Sequence, residues 1–113
     1  MATDARLTAG FWVAAYLTRL RLANIPAYVT AKGDATAGAV IVKCATLDGQ
    51  AQAYQRSFDI MKDVRHWITL AQGPEADVDA VLTRQRVRDP DLWVIEVESR
   101  EGHTLLEEDG LSD

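Results

Sequence analysis

Apolar residues recur along this chain with two different periods, and the change from one to the other divides it into elements. Between Thr8 and Ala23 the spacing is helical. Val13, Tyr16, Leu17 and Leu20 fall on one side of a 3.6-residue wheel with Trp12 at its margin. Thr8 is placed to cap this helix, and Asn24 followed by Pro26 ends it. A second stripe, Phe11, Ala15 and Leu22, lies on another side, set apart by Arg19 and Arg21, so one helix is apolar in two directions. From Tyr28 the period becomes two. Tyr28 to Lys32 is predicted as a strand, and Gly38 to Thr46 as another. Both alternating sets of the latter are apolar (Val40, Val42, Cys44 and Ala39, Ile41, Ala45), which marks a central strand.

Asp48-Gly49 is a hairpin signal leading into a strand over Ala51 to Phe58, in which Tyr54 and Phe58 point one way. A polar stretch, Asp59 to Asp63, turns the chain into Val64 to Ala71, where Val64, His66, Ile68 and Leu70 alternate with Arg65, Trp67 and Thr69. The strands so far predict an antiparallel meander. Gly73 and Pro74 open a second helix. Glu75, Asp77 and Asp79 stand near its positive end and Arg84, Arg86 and Arg88 near its negative end, with Val78, Val81, Leu82 and Gln85 facing inward. Asp89 and Pro90 stop it, Leu92 to Ser99 returns as a strand, and a turn at Arg100 to Gly102 leaves room for a last short strand, His103 to Leu106. The expected fold is α+β: two helices packed on a four- or five-stranded antiparallel or mixed sheet, in the order α-β-β-β-(β)-α-β.

The 113 residues suit one globular domain, since a chain of this length buries roughly two-thirds of its unfolded surface in a single core. Residues 107–113 read as a frayed acidic tail. A lone Cys44 excludes an internal disulfide and any cysteine-based zinc site, which fits a reducing compartment and a cytoplasmic location. The apolar run from Ala9 to Leu17 is too short to span a bilayer, and Arg19 and Arg21 interrupt it before any signal cleavage site. The net charge of −5 is concentrated: residues 96–113 carry −6 and the remainder about +1. An acidic end repels phosphate, so generic nucleic-acid binding is disfavoured, whereas a protein partner or self-association is compatible with it.

The pieces GDATAGAVIVK (33–43), the Asp48-Gly49 turn, Trp67, PEADVDAVLTRQ (74–85) and DPDLWVIEVE (89–98), after an FWV helix, resemble the small bacterial family catalogued as domain of unknown function 1491. The resemblance covers nearly the whole chain and implies one compact domain in bacterial cytoplasm. It carries no reaction, cofactor or functional residue.

The chemistry is therefore judged on the residues alone. The most distinctive stretch is AKGDATAGAVIVKC (31–44), where Lys32, Asp34, Thr36 and Lys43 could converge. The loop enters a strand and not a helix, so it is no phosphate loop of a nucleotide hydrolase. Its plainer reading is a turn in which Asp34 and Thr36 bind nearby amides and the glycines supply positive φ. An alternative reading is a metal-dependent phosphodiesterase or nuclease of restriction-endonuclease-like topology, with Asp34 and Lys43 in the site. That chemistry needs a second carboxylate two residues before the lysine; Ile41 stands there, and Glu96 or Glu98 would have to reach across from another strand. His66 and His103 lack ligand spacing, no serine sits on a nucleophile elbow, and Cys44 in an apolar strand is expected to be inert. The sequence thus favours a binding or protein-interaction module without a cofactor over an enzyme. The candidate binding residues are Lys32, Asp34, Thr36, Lys43, Arg65 and Trp67. Phe11, Ala15 and Leu22 form a candidate surface for a partner or a second copy.

Overall fold

A computed structural model describes residues 8–62, 64–108 and 111. Helix α1 spans Ala9–Leu22, followed by strands β1 (Ala27–Ala31), β2 (Val40–Ala45), β3 (Gln50–Asp59) and β4 (Val64–Pro74), helix α2 (Glu75–Arg88) and strand β5 (Trp93–Glu98). The expected fold class holds, with five strands in a mixed sheet of order β1-β5-β2-β3-β4. The β2, β3 and β4 strands form the expected antiparallel meander. The first strand does not join it: β1 lies at the far edge and pairs antiparallel only with β5, which in turn runs parallel to β2. Residues 103–106 form no strand; Leu105 takes a positive φ of 62° there. Of the expected 59–63 turn, residues 60–62 turn as predicted, while Asp63 lies outside the described residues.

The doubly apolar pattern of β2 has a direct cause, because a helix covers each face of the sheet. Tyr16 and Leu20 of α1, both wholly buried, pack with Val42, Trp93, Ile95, Val97, Leu106 and Leu111. On the opposite face Val78 and Leu82 of α2 pack with Ile41, Ala51, Ala53, Leu92 and Val94. The alanines of β3 have no bulk beyond Cβ, and this lets α2 lie close to the sheet. Thr8 accepts a hydrogen bond from Phe11 N and caps α1, and Asn24 ends it at a φ of 61°. Leu111 anchors one residue of the predicted acidic tail in the core, 2% exposed; residues 109, 110, 112 and 113 lie outside the described residues.

Gly33 and Gly38 hold the loop between β1 and β2 for a reason other than positive φ, which neither adopts. At each position a Cβ would collide with the Asp91 carbonyl, so the two glycines let this loop lie directly on the start of β5.

The Tyr16 hydroxyl donates to Thr104 O at 2.7 Å. Burial, followed by the neighbouring Cys44, Glu107 and Tyr54, pushes its ionisation well above the ordinary 10.0. A phenol whose pKa is raised on folding adds stability in full below its unfolded value and loses it as the pH climbs towards the folded one. Tyr16→Phe is expected to cost about 1 kcal/mol at pH 7 from the lost hydrogen bond. It should also flatten the fall in stability above pH 10. Urea unfolding of both proteins from pH 7 to 11 checks this; parallel curves for wild type and variant would contradict it.

Candidate functional site

The β3–β4 hairpin is longer than its neighbour, and this creates a concavity at that end of the sheet. β3 pairs with β4 from Gln50↔Pro74 to Asp59↔Val64, but with β2 only from Ala45↔Ala51 to Ile41↔Gln55. Beyond Gln55 the hairpin projects past the end of β2. A cleft of about 710 Å³ opens between this arm, the 36–41 segment, the start of α1 and the end of α2.

The wall formed by the loop is held by a series of hydrogen bonds. Asp34 Oδ2 accepts from Thr36 N (3.2 Å) and Ala37 N (2.8 Å), and Asp34 N donates to Asp91 O at 2.9 Å. Trp93 Nε1 donates to Asp34 O at 2.8 Å. Ala9 N and Gly10 N of α1 donate to Thr36 O and Ala35 O, so the first amides of the helix are already engaged. Asp34 thus acts as the cap of a turn, and Thr36 holds the loop to α1 through its carbonyl.

The opposite wall is aromatic and cationic. Tyr54 and Arg56 share the face of β3 that looks towards α1, where the Arg56 guanidinium lies 5.0 Å from the Trp12 ring and 4.8 Å from the Trp67 ring. The two indoles are 5.5 Å apart, and Trp12 also stacks on Tyr16 at 4.9 Å. Such cation–π contacts are worth roughly 1 kcal/mol each when partly buried, and they orient the guanidinium. Arg65 lines the cleft from β4. Trp67, a candidate binding residue, is half-buried beside Arg56 and donates to Leu111 O at 2.9 Å.

Lys43 stands elsewhere. It is on the α2 face of β2, 3% exposed, with Nζ 2.7 Å from Glu75 Oε2, 2.7 Å from Asp79 Oδ1 and 3.3 Å from Glu96 Oε1. Burial pulls its pKa down, but the hydrogen bonds it donates to Asp79 and Glu75 and the charge of Glu96 outweigh this and hold it above the ordinary lysine value of 10.5. It is a fixed cation under α2. Among the described residues no hydrogen bond or ion pair joins Asp34 to Lys43, and no group of three or more His, Cys, Asp or Glu could hold a metal. Glu96 does reach Lys43, as a salt-bridge partner. Cys44 is 1% exposed, and burial raises its thiol pKa against the opposing Ser99 carbonyl contact. Lys32 is exposed at the end of β1. Phe11 and Leu22 are 62% and 76% exposed, and Ala15 lies half-buried between them.

Of the predicted binding residues, the fold brings Thr36, Arg65 and Trp67 to the cleft region, places Asp34 behind its wall and separates Lys32 and Lys43 from it. Arg56 was not singled out in the sequence, although a charge between Tyr54 and Phe58 in an alternating strand was a signal. Glu75 and Asp79, one helical turn apart, were read only as dipole partners.

These features define an α+β domain with a helix on each face of a mixed sheet and an arginine–tryptophan cleft at one end. Residues 7–107 match the family model described as "Protein of unknown function (DUF1491)", and the chain belongs to that family. It is similar to a crystal structure of a DUF1491 family protein from Caulobacter crescentus CB15, at 38% identity over 90% of this chain and 94% of that one, with a TM-score of 0.80. An NMR structure of a DUF1491 family protein from the same organism matches at 36% identity over 92% and 96%, TM-score 0.80. The solution structure of protein Atu0922 from A. tumefaciens matches at 32% identity over 88% and 92%, TM-score 0.74. No curated protein matches.

Trp67 and Trp93 donate to backbone carbonyls, while Trp12 Nε1 is buried without a partner among the described residues. Trp93→Phe should therefore cost about 1 kcal/mol more than Trp12→Phe, in which the volume lost is the same but no hydrogen bond is. Chemical unfolding of the two variants measures the difference, and an equal or reversed order would contradict it.

Proposed function

We propose that this protein is a binding module that holds a small ligand in the cleft between α1, the β1–β2 loop and the β3–β4 arm, and that it does no covalent chemistry itself. The observation that carries this reading is Arg56, fixed over two indoles at the wall of a 710 Å³ concavity. Volumes of roughly 300–1,000 Å³ are typical of small-molecule sites, and a preoriented cation is a recognition device. Support also comes from what the cleft brings together. Ser57 lies opposite His66 across the hairpin, but no hydrogen bond joins them among the described residues, and His66 is exposed. The cleft thus offers polar and cationic contacts in place of a nucleophile activated by a base. No helix among the described residues is long and apolar enough to cross a membrane.

A panel of small metabolites screened by amide NMR tests this. Saturable shifts confined to Thr36, Ser57, Arg65 and Gln85 are expected for at least one chemical class. A panel that leaves these resonances still would overturn the reading.

A second reading, self-association, has an observation of its own. Phe11 and Leu22 stand exposed on one side of α1, eleven residues or about 16 Å apart, with Ala15 between them. A two-fold antiparallel pairing of this helix with a second copy sets Phe11 against Leu22 at both ends and lets the small central residues approach. Sedimentation equilibrium should show a dimer that Phe11→Glu converts to monomer; a wild type still monomeric at high concentration ends this proposal.

A further inference from the structure

The cleft has a lobe on the α2 side of the sheet, built from residues other than those of the arginine–tryptophan wall. The positions of β3 that face α2 read Ala51, Ala53, Gln55 and Ser57, at the two-residue period of a strand. The stripe of α2 that faces the sheet reads Val78, Leu82, Gln85 and, at its end, Asp89, at helical spacing. In both series the first two residues are buried and apolar and the last two are polar. The two changes meet at the cleft, which all four polar residues line.

A polar side chain on the inward stripe of an element needs a partner, from the protein, from water or from a ligand. Gln55, Ser57 and Gln85 are half-buried, yet among the described residues none of their side chains makes a hydrogen bond. Asp89 accepts from Asp91 N through Oδ1 only. The lobe therefore presents two carboxamides and a hydroxyl, each able to donate and to accept, beside a carboxylate that only accepts. Ala39, exposed in the cleft, and Leu92, 3% exposed at its base, make the remaining side apolar.

That inventory narrows the ligand. A carboxamide is matched by a group that carries a donor next to an acceptor, because its oxygen and its nitrogen then bond at once. A carboxylate in the same lobe adds a demand for N–H and disfavours an anion. Resting on the binding role above, we propose that this lobe takes a neutral ligand whose edge carries an N–H beside a carbonyl, as a ring lactam or a primary amide does. The edge bonds to Gln55 and Gln85, and the flat body lies against Ala39. No bond is made or broken; the lobe recognises and holds.

Uracil and benzamide, each set against its N-methylated counterpart, 1,3-dimethyluracil or N,N-dimethylbenzamide, test the assignment in titrations followed at the side-chain NH2 resonances of Gln55 and Gln85. At least one N–H probe should shift these resonances saturably, and its methylated counterpart should bind at least roughly tenfold more weakly. The stronger of uracil and benzamide identifies a ring lactam or an open amide as the source. Gln85→Met keeps the length of the side chain and removes its polar end. It should weaken the N–H probe about tenfold without lowering the melting temperature, a combination that a merely structural glutamine would not give. Gln55→Met provides the same comparison from β3. A methylated counterpart that binds as tightly, or an affinity unchanged in both variants, overturns the assignment and leaves the binding role standing. So does a metabolite of the panel that moves cleft amides without moving either carboxamide. Silence from both N–H probes overturns the assignment, and silence from the whole metabolite panel as well removes the binding role with it.

Discussion

The parallel pairing of β2 with β5 is the constraint on which the rest of the molecule depends. Parallel strands cannot be joined by a tight turn, so the chain must leave β2, build the β3–β4 hairpin and cross a face of the sheet as α2 before β5 can be laid down. That crossing covers one face, and α1 covers the other. The central strands are thereby buried on both sides, which is why β2 is apolar at five of its six positions and β5 at four of its six. β1 is left to close the edge beyond β5, and the loop that carries the chain back from β1 to β2 has to pass over the start of β5. The contact is tight enough that two of its positions must lack a Cβ.

Lys43 is the charge buried within that pair of strands, and its setting explains how it is tolerated. An isolated ammonium under a helix would be strongly disfavoured. Here the helix that buries it also supplies Glu75 and Asp79, and the parallel neighbour supplies Glu96 at the register position Lys43↔Glu96. The three carboxylates keep part of their surface in water, which lowers the desolvation cost on their side of each pair. The geometry links α2 to one register of β2 and β5, because a slip by one residue would turn the lysine to the other face.

Much of the fold was legible in the sequence because it rests on local pattern. The helix ends at Thr8 and Asn24, the Asp48-Gly49 hairpin and the two-sided strand at 40–45 are each written in a few adjacent residues. The position of β1 was not legible, since Tyr28 to Lys32 carries no mark of which strand it will join; pairing with β5 is a contact across some seventy residues. The same holds for the site. Trp67 and Arg65 could be placed on one strand face, but their meeting with Arg56 and Trp12 depends on how α1 lies across the sheet. The carboxylates that gather at Lys43 likewise come from elements 32 to 53 residues away. Gly33 and Gly38 were read through their own dihedral freedom when their role lies in the backbone passing beside them.

The overhang of β3 past β2 also bears on strand-to-strand aggregation along that stretch of the sheet. A strand edge without a neighbour, such as residues 56–59 beyond the last rung with Ile41, offers unpaired amides and carbonyls to any extended segment that drifts against it. Among the described residues this stretch is four residues long, and an inward-facing positive charge is set at its first position. Short length and an inward-pointing charge are both recognised brakes on strand-to-strand aggregation, so the guanidinium placed over the two indoles also disfavours extension of this ladder.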